Sequence, residues 1–140
     1  MSNKFTESAE TVLNRALEIA EEFGHTYIGS DHMLLAIAED KDSRATEILS
    51  RYGVDQEGIR SAIMEISECG EKTNLTITDA TPKFRTVLKN AYETSVRNGG
   101  TQISTEDILF AICLQEESVA VKILDKLGLD LAVIKNQLSK

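Results

Sequence analysis

The sequence has few of the residues on which several classes of protein depend. Its 140 residues include one proline, two cysteines and no tryptophan, and only 5% of them are aromatic. Two cysteines cannot form the disulfide framework of a small secreted domain, and so few prolines and aromatics argue against a β-sandwich or barrel. No apolar run reaches the roughly 18 residues that a membrane-spanning helix needs. The abundance of Ala, Leu, Ile and Glu instead favours helices.

Basic side chains are also scarce. There are 15 basic and 23 acidic residues, a formal net charge of −8. We therefore expect no nucleic-acid partner and no membrane partner, since both carry negative charge. The charge is unevenly spread, because residues 1–75 hold 15 acidic and 7 basic side chains whereas residues 76–140 hold 8 of each.

The amino-terminal residues and the cysteines indicate the cellular compartment in which the protein is expected. Residues 1–7 lack the apolar stretch of a signal peptide. Cys113 lies in an apolar run and Cys69 in a polar one, which is typical of reduced thiols rather than a disulfide. We therefore expect a cytoplasmic protein.

The sequence repeats itself at a spacing of 75 residues. Without a gap, 19 of the 58 residues from Thr6 to Ile63 are identical to the residue 75 positions later. The identities fall on small, apolar and helix-capping residues, which a shared backbone would constrain. We interpret this as a tandem duplication of one supersecondary unit. One domain over 1–140 would contain repeat one at about 5–66, a linker at about 67–79 and repeat two at about 80–138.

The first helix of each copy is predicted from apolar residues spaced by three and four. Thr6 and Thr81 are suited to the N-cap, and Gly24 and Gly99 to the left-handed residue that ends the helix. The predicted apolar stripes are Ala9, Val12, Leu13, Ala16, Leu17 and Ala20, and then Phe84, Val87, Leu88, Ala91 and Tyr92.

Three further helices are predicted in each copy. The second helix should start after Ser30 or Thr105 as its N-cap, and it is apolar on all sides, which is typical of a central, buried helix. The third helix ends at Gly53 or Gly128, and the fourth buries residues that include Ile66. The predicted fold class is all-α, with two four-helix units packed as one pseudo-twofold helical domain.

Candidates for catalytic chemistry are few. His25 and His32 are the only histidines, and their repeat partners are Gly100 and Asp107. We expect no zinc site, and we interpret His25 as a turn residue and His32 as a half-buried helix residue. Cys113 is interpreted as a core thiol. No phosphate-binding loop or nucleophile motif is present, so we predict no catalytic residues, no metal and no cofactor in this segment.

Four residues at helix starts recur in both copies. The first helices start at Thr6 and Thr81, and the second helices carry an acidic residue in the first turn, Asp31 or Glu106. Such residues cap helices and complement the helix dipole. The same groups could also bind a ligand, and residue patterns leave both interpretations open.

Several short segments, in their order along the chain, resemble the Clp amino-terminal repeat domain. The first copy contains FTE at 5–7, GH at 24–25 and IGSDHMLLAI at 28–37, and the second contains TP at 81–82 and ISTEDIL at 103–109. The resemblance covers about residues 4–138 and includes both copies at the 75-residue spacing. Among the members of the family, the sequence is most similar to the ClpC type.

The resemblance implies a non-catalytic module of an AAA+ unfoldase that acts as a chaperone in protein quality control and ATP-dependent proteolysis. Such a module docks adaptor proteins and protein substrates, which the hexameric ring passes to a ClpP-type peptidase. ATP and magnesium would belong to downstream ATPase modules, which are absent from this segment, and the segment itself would be monomeric. A stand-alone helical adaptor or scaffold of the same family, without ATPase modules, is the alternative.

The resemblance to ClpC-type members also implies recognition of phosphoarginine, with one pocket per repeat. The implied ligand-binding pairs are Thr6 with Asp31, and Thr81 with Glu106. A phosphate suits a helix N-terminus and a threonine hydroxyl, and a guanidinium suits a carboxylate.

Both copies depart from the family's Gly-Thr-Glu-His pattern. It reads Gly-Ser-Asp-His at 29–32 and Ser-Thr-Glu-Asp at 104–107. We expect the shorter Asp31 to have less reach toward a guanidinium, and the extra charge of Asp107 to weaken phosphate binding.

Overall fold

The computed structural model describes residues 4–138, which form eight α-helices. Repeat one contributes α1 (Glu7–Glu22), α2 (Ser30–Glu39), α3 (Arg44–Arg51) and α4 (Gln56–Ile66). Repeat two contributes α5 (Pro82–Arg97), α6 (Thr105–Leu114), α7 (Val119–Lys126) and α8 (Leu131–Leu138). A single 3₁₀ turn, Ile77–Asp79, precedes α5. Within residues 4–138, no helix combines the length and the apolar character needed to cross a membrane.

The duplication predicted from the sequence is confirmed by the helix positions. Each helix of repeat two starts 75 residues after its counterpart in repeat one, and the first three pairs also end 75 residues apart. The four glycines with positive φ obey the same spacing, since Gly24 and Gly53 correspond to Gly99 and Gly128. The prediction of an all-α fold built from two four-helix units is therefore confirmed.

The starts and ends of the first helices follow from local chemistry. The Thr6 hydroxyl accepts a hydrogen bond from the Ala9 amide at 3.1 Å, and the Thr81 hydroxyl accepts one from the Phe84 amide at 3.1 Å. Both threonines are N-caps, as predicted. At the other end, Gly24 and Gly99 adopt φ values of 76° and 77°, which only glycine adopts without strain.

The second helices form the centre of the core. Every residue of α2 from Ser30 to Ala38 is buried, and α2 and α6 contact each other as well as helices of both repeats. The predicted central position is confirmed, but the predicted N-caps are wrong by one residue, because the observed caps are Gly29 and Ser104. Two predictions of buried apolar residues are also wrong: Ile66 is 46% exposed and Tyr92 is 52% exposed, because each lies at the edge of its helix stripe.

The segment between the repeats packs over the end of α1. The Gly70 amide donates to the Phe23 carbonyl at 2.9 Å, and the Thr73 amide donates to the Glu21 carbonyl at 3.2 Å. The Thr73 hydroxyl also donates to the His25 carbonyl at 2.6 Å. We call residues 67–76 the strap, since their hydrogen bonds tie them to the turn that leads into α2.

Candidate functional site

Two isolated parallel bridges join the repeats, and each bridge brings two helix starts together. In one bridge the Thr6 amide donates to the Ile103 carbonyl at 2.9 Å, and the Ile103 amide donates to the Lys4 carbonyl at 2.6 Å. Helix α6 starts at Thr105, so the N-termini of α1 and α6 meet here. We call this place the Thr6–Glu106 site.

The second bridge repeats the same contacts with the roles of the repeats exchanged. The Thr81 amide donates to the Ile28 carbonyl at 2.9 Å, and the Ile28 amide donates to the Asp79 carbonyl at 3.1 Å. Helix α2 starts two residues further on, at Ser30, so the N-termini of α5 and α2 meet. We call this place the Thr81–Asp31 site.

The pairing of site residues within each repeat, which the resemblance had suggested, is therefore wrong. Helices α1 and α2 run antiparallel: the ring of Phe23 after the end of α1 lies 6.5 Å from the ring of His32 near the start of α2, and Arg15 in the middle of α1 lies 2.6 Å from Glu39 at the end of α2. The 16 residues of α1 rise by about 24 Å, which separates Thr6 from Asp31 by roughly one helix length. The structure instead combines the threonine of each repeat with the acidic residue of the other.

The threonine hydroxyls retain the capacity to donate. Each accepts one backbone hydrogen bond as an N-cap, and a hydroxyl carries a donor besides its two acceptor lone pairs. Both threonines are half-buried. A phosphate oxygen beside either one could therefore accept the hydroxyl proton.

The two carboxylates differ sharply in accessibility. Asp31 is 2% exposed, whereas the Glu106 side chain is 31% exposed and lies 3.1 Å from the Arg44 guanidinium. Burial raises the pKa of Asp31, although the amides of Asp31 and His32 oppose the shift by donating to its carboxylate. The Asp31 carboxylate is thus turned back onto its own helix start, and the Glu106 carboxylate faces outward.

Two differences between the repeats accompany this difference in accessibility: the N-cap is Gly29 in one and Ser104 in the other, and the carboxylate belongs to Asp31 or to the longer Glu106. A Cβ atom at Gly29 would lie 2.6 Å from the Asp31 Oδ1. The space is free because the N-cap of α2 is glycine. In repeat two the N-cap is Ser104, which carries a Cβ atom at the equivalent position and whose hydroxyl accepts a hydrogen bond from the Asp107 amide at 3.1 Å.

The two histidines are hydrogen-bonded to each other beneath the strap. His25 Nδ1 lies 2.7 Å from His32 Nε2, and the Gly29 amide donates to His32 Nδ1 at 2.9 Å. Because Nδ1 accepts, neutral His32 carries its proton on Nε2 and donates it to His25. The His25 ring stacks between Phe23 and Tyr27, at centroid distances of 5.5 and 5.1 Å.

His32 serves the same role as Asp107 in the other repeat. The Asp107 carboxylate accepts a hydrogen bond from the Ser104 amide at 2.9 Å, as His32 does from Gly29. His25 lies in a turn, as predicted, but the prediction of a half-buried His32 is wrong, since it is fully buried. Burial lowers the pKa of His32 to about 3.

Possible metal-ligand atoms of His25, Asp31 and His32 lie within 4.8 Å of one another, which is close enough for the three side chains to hold a metal ion. Both ring nitrogens of His32 are engaged in hydrogen bonds. These contacts form a buried hydrogen-bonded chain at the start of α2, and the atom at its end, His25 Nε2, is buried without a hydrogen-bond partner among the described residues. The absence of a zinc site stays a prediction.

The two cysteines differ in their exposure to solvent. Cys69 is exposed in the strap and Cys113 is buried in α6, and both are free thiols. Burial raises the pKa of the Cys113 thiol to about 12, so it stays protonated and unreactive. The interpretation of Cys113 as a core residue is consistent with this position.

An apolar groove also runs between α1 and α5. The cavity there has a volume of about 650 Å³ and is lined mainly by Phe5, Leu13, Leu17, Ile77 and Leu88. Leu13 and Leu88 are repeat partners, so the groove lies between equivalent faces of the two first helices. It offers contact for apolar side chains next to the Thr6–Glu106 site, with Phe5 between them.

Sequence patterns did not point to Arg44. It lies 62 residues from Glu106 and in the other repeat, so no local spacing pairs the two residues. A lone arginine at the start of a short helix has no signal that distinguishes it from an ordinary solvated side chain.

Comparison with known sequences identifies the family to which the chain belongs. The chain matches the family model described as the Clp repeat (R) N-terminal domain over residues 4–127 and 79–140. The chain belongs to this family, as the sequence resemblance implied.

Curated relatives are much longer than this chain. It is 30% identical over 137 residues to the negative regulator of genetic competence ClpC/MecB of Bacillus subtilis (strain 168). It is 29% identical over 137 residues to the ATP-dependent Clp protease ATP-binding subunit ClpA homolog of Guillardia theta. Each match covers 98% of this chain and 17% of the relative. The chain therefore spans only a small part of the length of the curated relatives that it matches.

Solved structures share the fold at low identity. The N-terminal domain of the chaperone ClpD from Arabidopsis thaliana superposes with a TM-score of 0.81 at 20% identity, covering 99% of this chain and 94% of that chain. The N-domain of ClpV in complex with a VipB peptide gives a TM-score of 0.74 at 16% identity, covering 97% and 85%. The all-helical architecture is therefore that of the Clp N-domains.

Proposed function

We propose that this domain docks adaptor proteins and protein substrates for a ClpC-type AAA+ unfoldase that works with a ClpP-type peptidase in the cytoplasm. Membership of the Clp N-terminal family and the similarity to ClpC/MecB support this proposal. The domain itself would act as a monomer without a cofactor, and ATP and magnesium would bind to ATPase modules elsewhere in the protein.

We further propose that the mark recognised on substrates is phosphoarginine, and that it binds at the Thr6–Glu106 site. The single observation that carries this proposal is the meeting of two helix N-termini beside an outward-facing carboxylate. The positive ends of α1 and α6, together with the Thr6 hydroxyl, favour the phosphate. The Glu106 carboxylate can accept charge-assisted hydrogen bonds from the guanidinium.

The Thr81–Asp31 site has the same backbone arrangement, but its carboxylate is less accessible to a guanidinium. Its carboxylate is 2% exposed and held by its own helix start. To reach a guanidinium it would have to leave these amides, which costs free energy. We therefore propose one strong phosphoarginine site per chain rather than two.

Calorimetric titration with free phosphoarginine tests this directly. We expect a stoichiometry of one in the wild type, because only one carboxylate faces outward. Glu106→Gln should weaken binding by roughly tenfold or more, since it removes a charge-assisted hydrogen bond worth about 1.5–3 kcal/mol. Asp31→Asn should change the affinity little, and circular dichroism would confirm that each variant is folded. Absence of heat at millimolar ligand with folded protein would remove the phosphoarginine proposal.

A domain exchange tests the wider role. The domain would replace the corresponding N-terminal segment of the ClpC/MecB relative, and degradation of an arginine-phosphorylated protein by the chimera with its peptidase would be followed. We expect degradation that depends on Glu106 and that is lost in a chimera lacking the domain. A chimera that hydrolyses ATP but does not degrade the marked protein would favour a stand-alone scaffold.

A further inference from the structure

Glu106 already holds a guanidinium group, which belongs to the protein itself. Arg44 Nη1 lies 3.1 Å from Glu106 Oε2. We propose that Arg44 is an internal competitor for the Thr6–Glu106 site: its guanidinium occupies the carboxylate that the guanidinium of a ligand must take. This inference rests on the proposed function, because it concerns access to the same carboxylate.

The contact is built between two fixed helix starts. Arg44 is the first residue of α3, whose N-cap Ser43 accepts a hydrogen bond from the Thr46 amide at 3.1 Å. Glu106 is the second residue of α6, whose N-cap is Ser104. Both backbones are thus held in place, and only the side chains have to move when the pair opens.

The pair is exposed enough to be displaced. The Arg44 side chain is 58% exposed and that of Glu106 is 31% exposed. Ion pairs at such exposure are weak, because both groups are well solvated when they separate. Arg44 therefore lowers the affinity for a ligand by a small factor and does not close the site.

The other repeat has no counterpart of this contact. The residue 75 positions after Arg44 is Val119, which carries no charge, and the equivalent carboxylate, Asp31, is buried. The ion pair thus occurs at the site whose carboxylate faces outward and is absent from the site whose carboxylate is withdrawn. This coincidence is expected of a competitor.

The chain offers a matched control on the same helix. Arg51, at the end of α3, is 59% exposed and forms an ion pair with Glu47 at 2.9 Å. Arg51→Gln removes the same charge from the same helix at the same exposure, but it leaves Glu106 untouched.

Titrations of wild type, Arg44→Gln and Arg51→Gln with phosphoarginine provide the test. We expect Arg44→Gln to tighten binding by about two- to fivefold, the range that the loss of an exposed ion pair allows, and Arg51→Gln to leave it unchanged. An unchanged affinity in Arg44→Gln would overturn the proposal. A weaker affinity would overturn it as well, because Arg44 would then be contacting the phosphate.

A second measurement does not depend on phosphoarginine. Titration with methylguanidinium, followed by the NMR shift of the Glu106 side-chain carboxyl carbon, should show tighter binding in Arg44→Gln than in wild type. If this holds while phosphoarginine binds to neither protein, Arg44 is a competitor and the phosphoarginine proposal fails. If phosphoarginine binds but Arg44→Gln matches wild type in both titrations, the proposed function stands and the competitor is excluded.

Discussion

Repeat one and repeat two hold the same kind of residue at the second position of their second helices, and they use it in opposite ways. In repeat one, Asp31 is buried against its own backbone, whereas in repeat two Glu106 faces outward and is paired with Arg44. The N-caps of the first helices and the positive-φ glycines that end helices are shared, since Thr6 matches Thr81 in geometry and Gly24 matches Gly99. The comparison teaches that a duplicated backbone can be retained while its two equivalent sites diverge.

The largest effect is expected from a glycine that is shared by both repeats but is crowded in only one. An alanine at Gly24 or Gly99 would have to adopt a positive φ, at a cost of about 1–2 kcal/mol. At Gly24 the new Cβ would also lie 2.5 Å from the backbone of Gly70 in the strap, whereas nothing lies within 4 Å at Gly99. Displacement of the strap should add about 1–3 kcal/mol.

Urea unfolding of Gly24→Ala and Gly99→Ala measures this difference. We expect Gly24→Ala to lose about 2–5 kcal/mol and Gly99→Ala only about 1–2 kcal/mol. Equal losses would show that the strap does not press on the end of α1.

The next effect concerns pH, because His32 and Asp107 cap equivalent helices with different chemistry. The folded-state pKa of His32 is about 3, against an ordinary value of 6.5. Between these values the unfolded chain binds a proton that the folded chain excludes, so stability falls as the pH drops below 6.5. The loss from this residue between pH 7 and pH 5 is about 2 kcal/mol, since each full pKa unit is worth 1.36 kcal/mol.

His32→Gln keeps an acceptor for the Gly29 amide but removes the titration. The free energies of unfolding of the variant and the wild type should therefore converge by about 2 kcal/mol as the pH is lowered from 7 to 5. Denaturant unfolding at several pH values checks this, and the contributions of other groups, Asp31 included, are present in both proteins. Parallel pH profiles would contradict the assigned role of His32.

The smallest change in stability is expected from making the N-cap of repeat one resemble that of repeat two. In Gly29→Ser the new side chain should displace the Asp31 carboxylate, whose Oδ1 lies 2.6 Å from the added Cβ. Glycine and serine are equally acceptable caps to within a few tenths of a kcal/mol, so the expected loss of stability is that of moving the Asp31 carboxylate off its backbone amides, about 1 kcal/mol. The pKa of Asp31, followed by NMR, should fall toward its ordinary value, and a pKa that stays raised would refute the explanation based on Gly29.

Local sequence patterns predict those parts of the fold that depend on interactions between residues close together in the sequence. Thr6 and Gly24 bound α1 because an N-cap and a left-handed glycine act within one helical turn. The N-cap of α6 was misplaced because Ser104 and Thr105 are adjacent and both can cap. Tyr92 shares the spacing of the stripe but lies at its edge, where it is 52% exposed.

The four candidate residues could be named from the sequence, and their role in binding stays a prediction, but their arrangement could not be named. The four positions followed from the repeat and the resemblance, whereas their grouping depends on bridges between residues far apart in the sequence, such as Thr6 and Ile103. No periodic pattern in the sequence predicts a contact between residues so far apart along the chain. The burial of Asp31 likewise depends on space left by Gly29, which only three-dimensional packing reveals.

The exchanged bridges have a consequence for how such a domain could arise. Residue 5 contacts residue 103 as residue 80 contacts residue 28, which is the self-complementary pattern of a twofold homodimer. A lone ancestral half could have made both bridges by associating with a second copy of itself. Fusion into one polypeptide makes that association independent of concentration, and it frees each former subunit to evolve without its partner having to change in step.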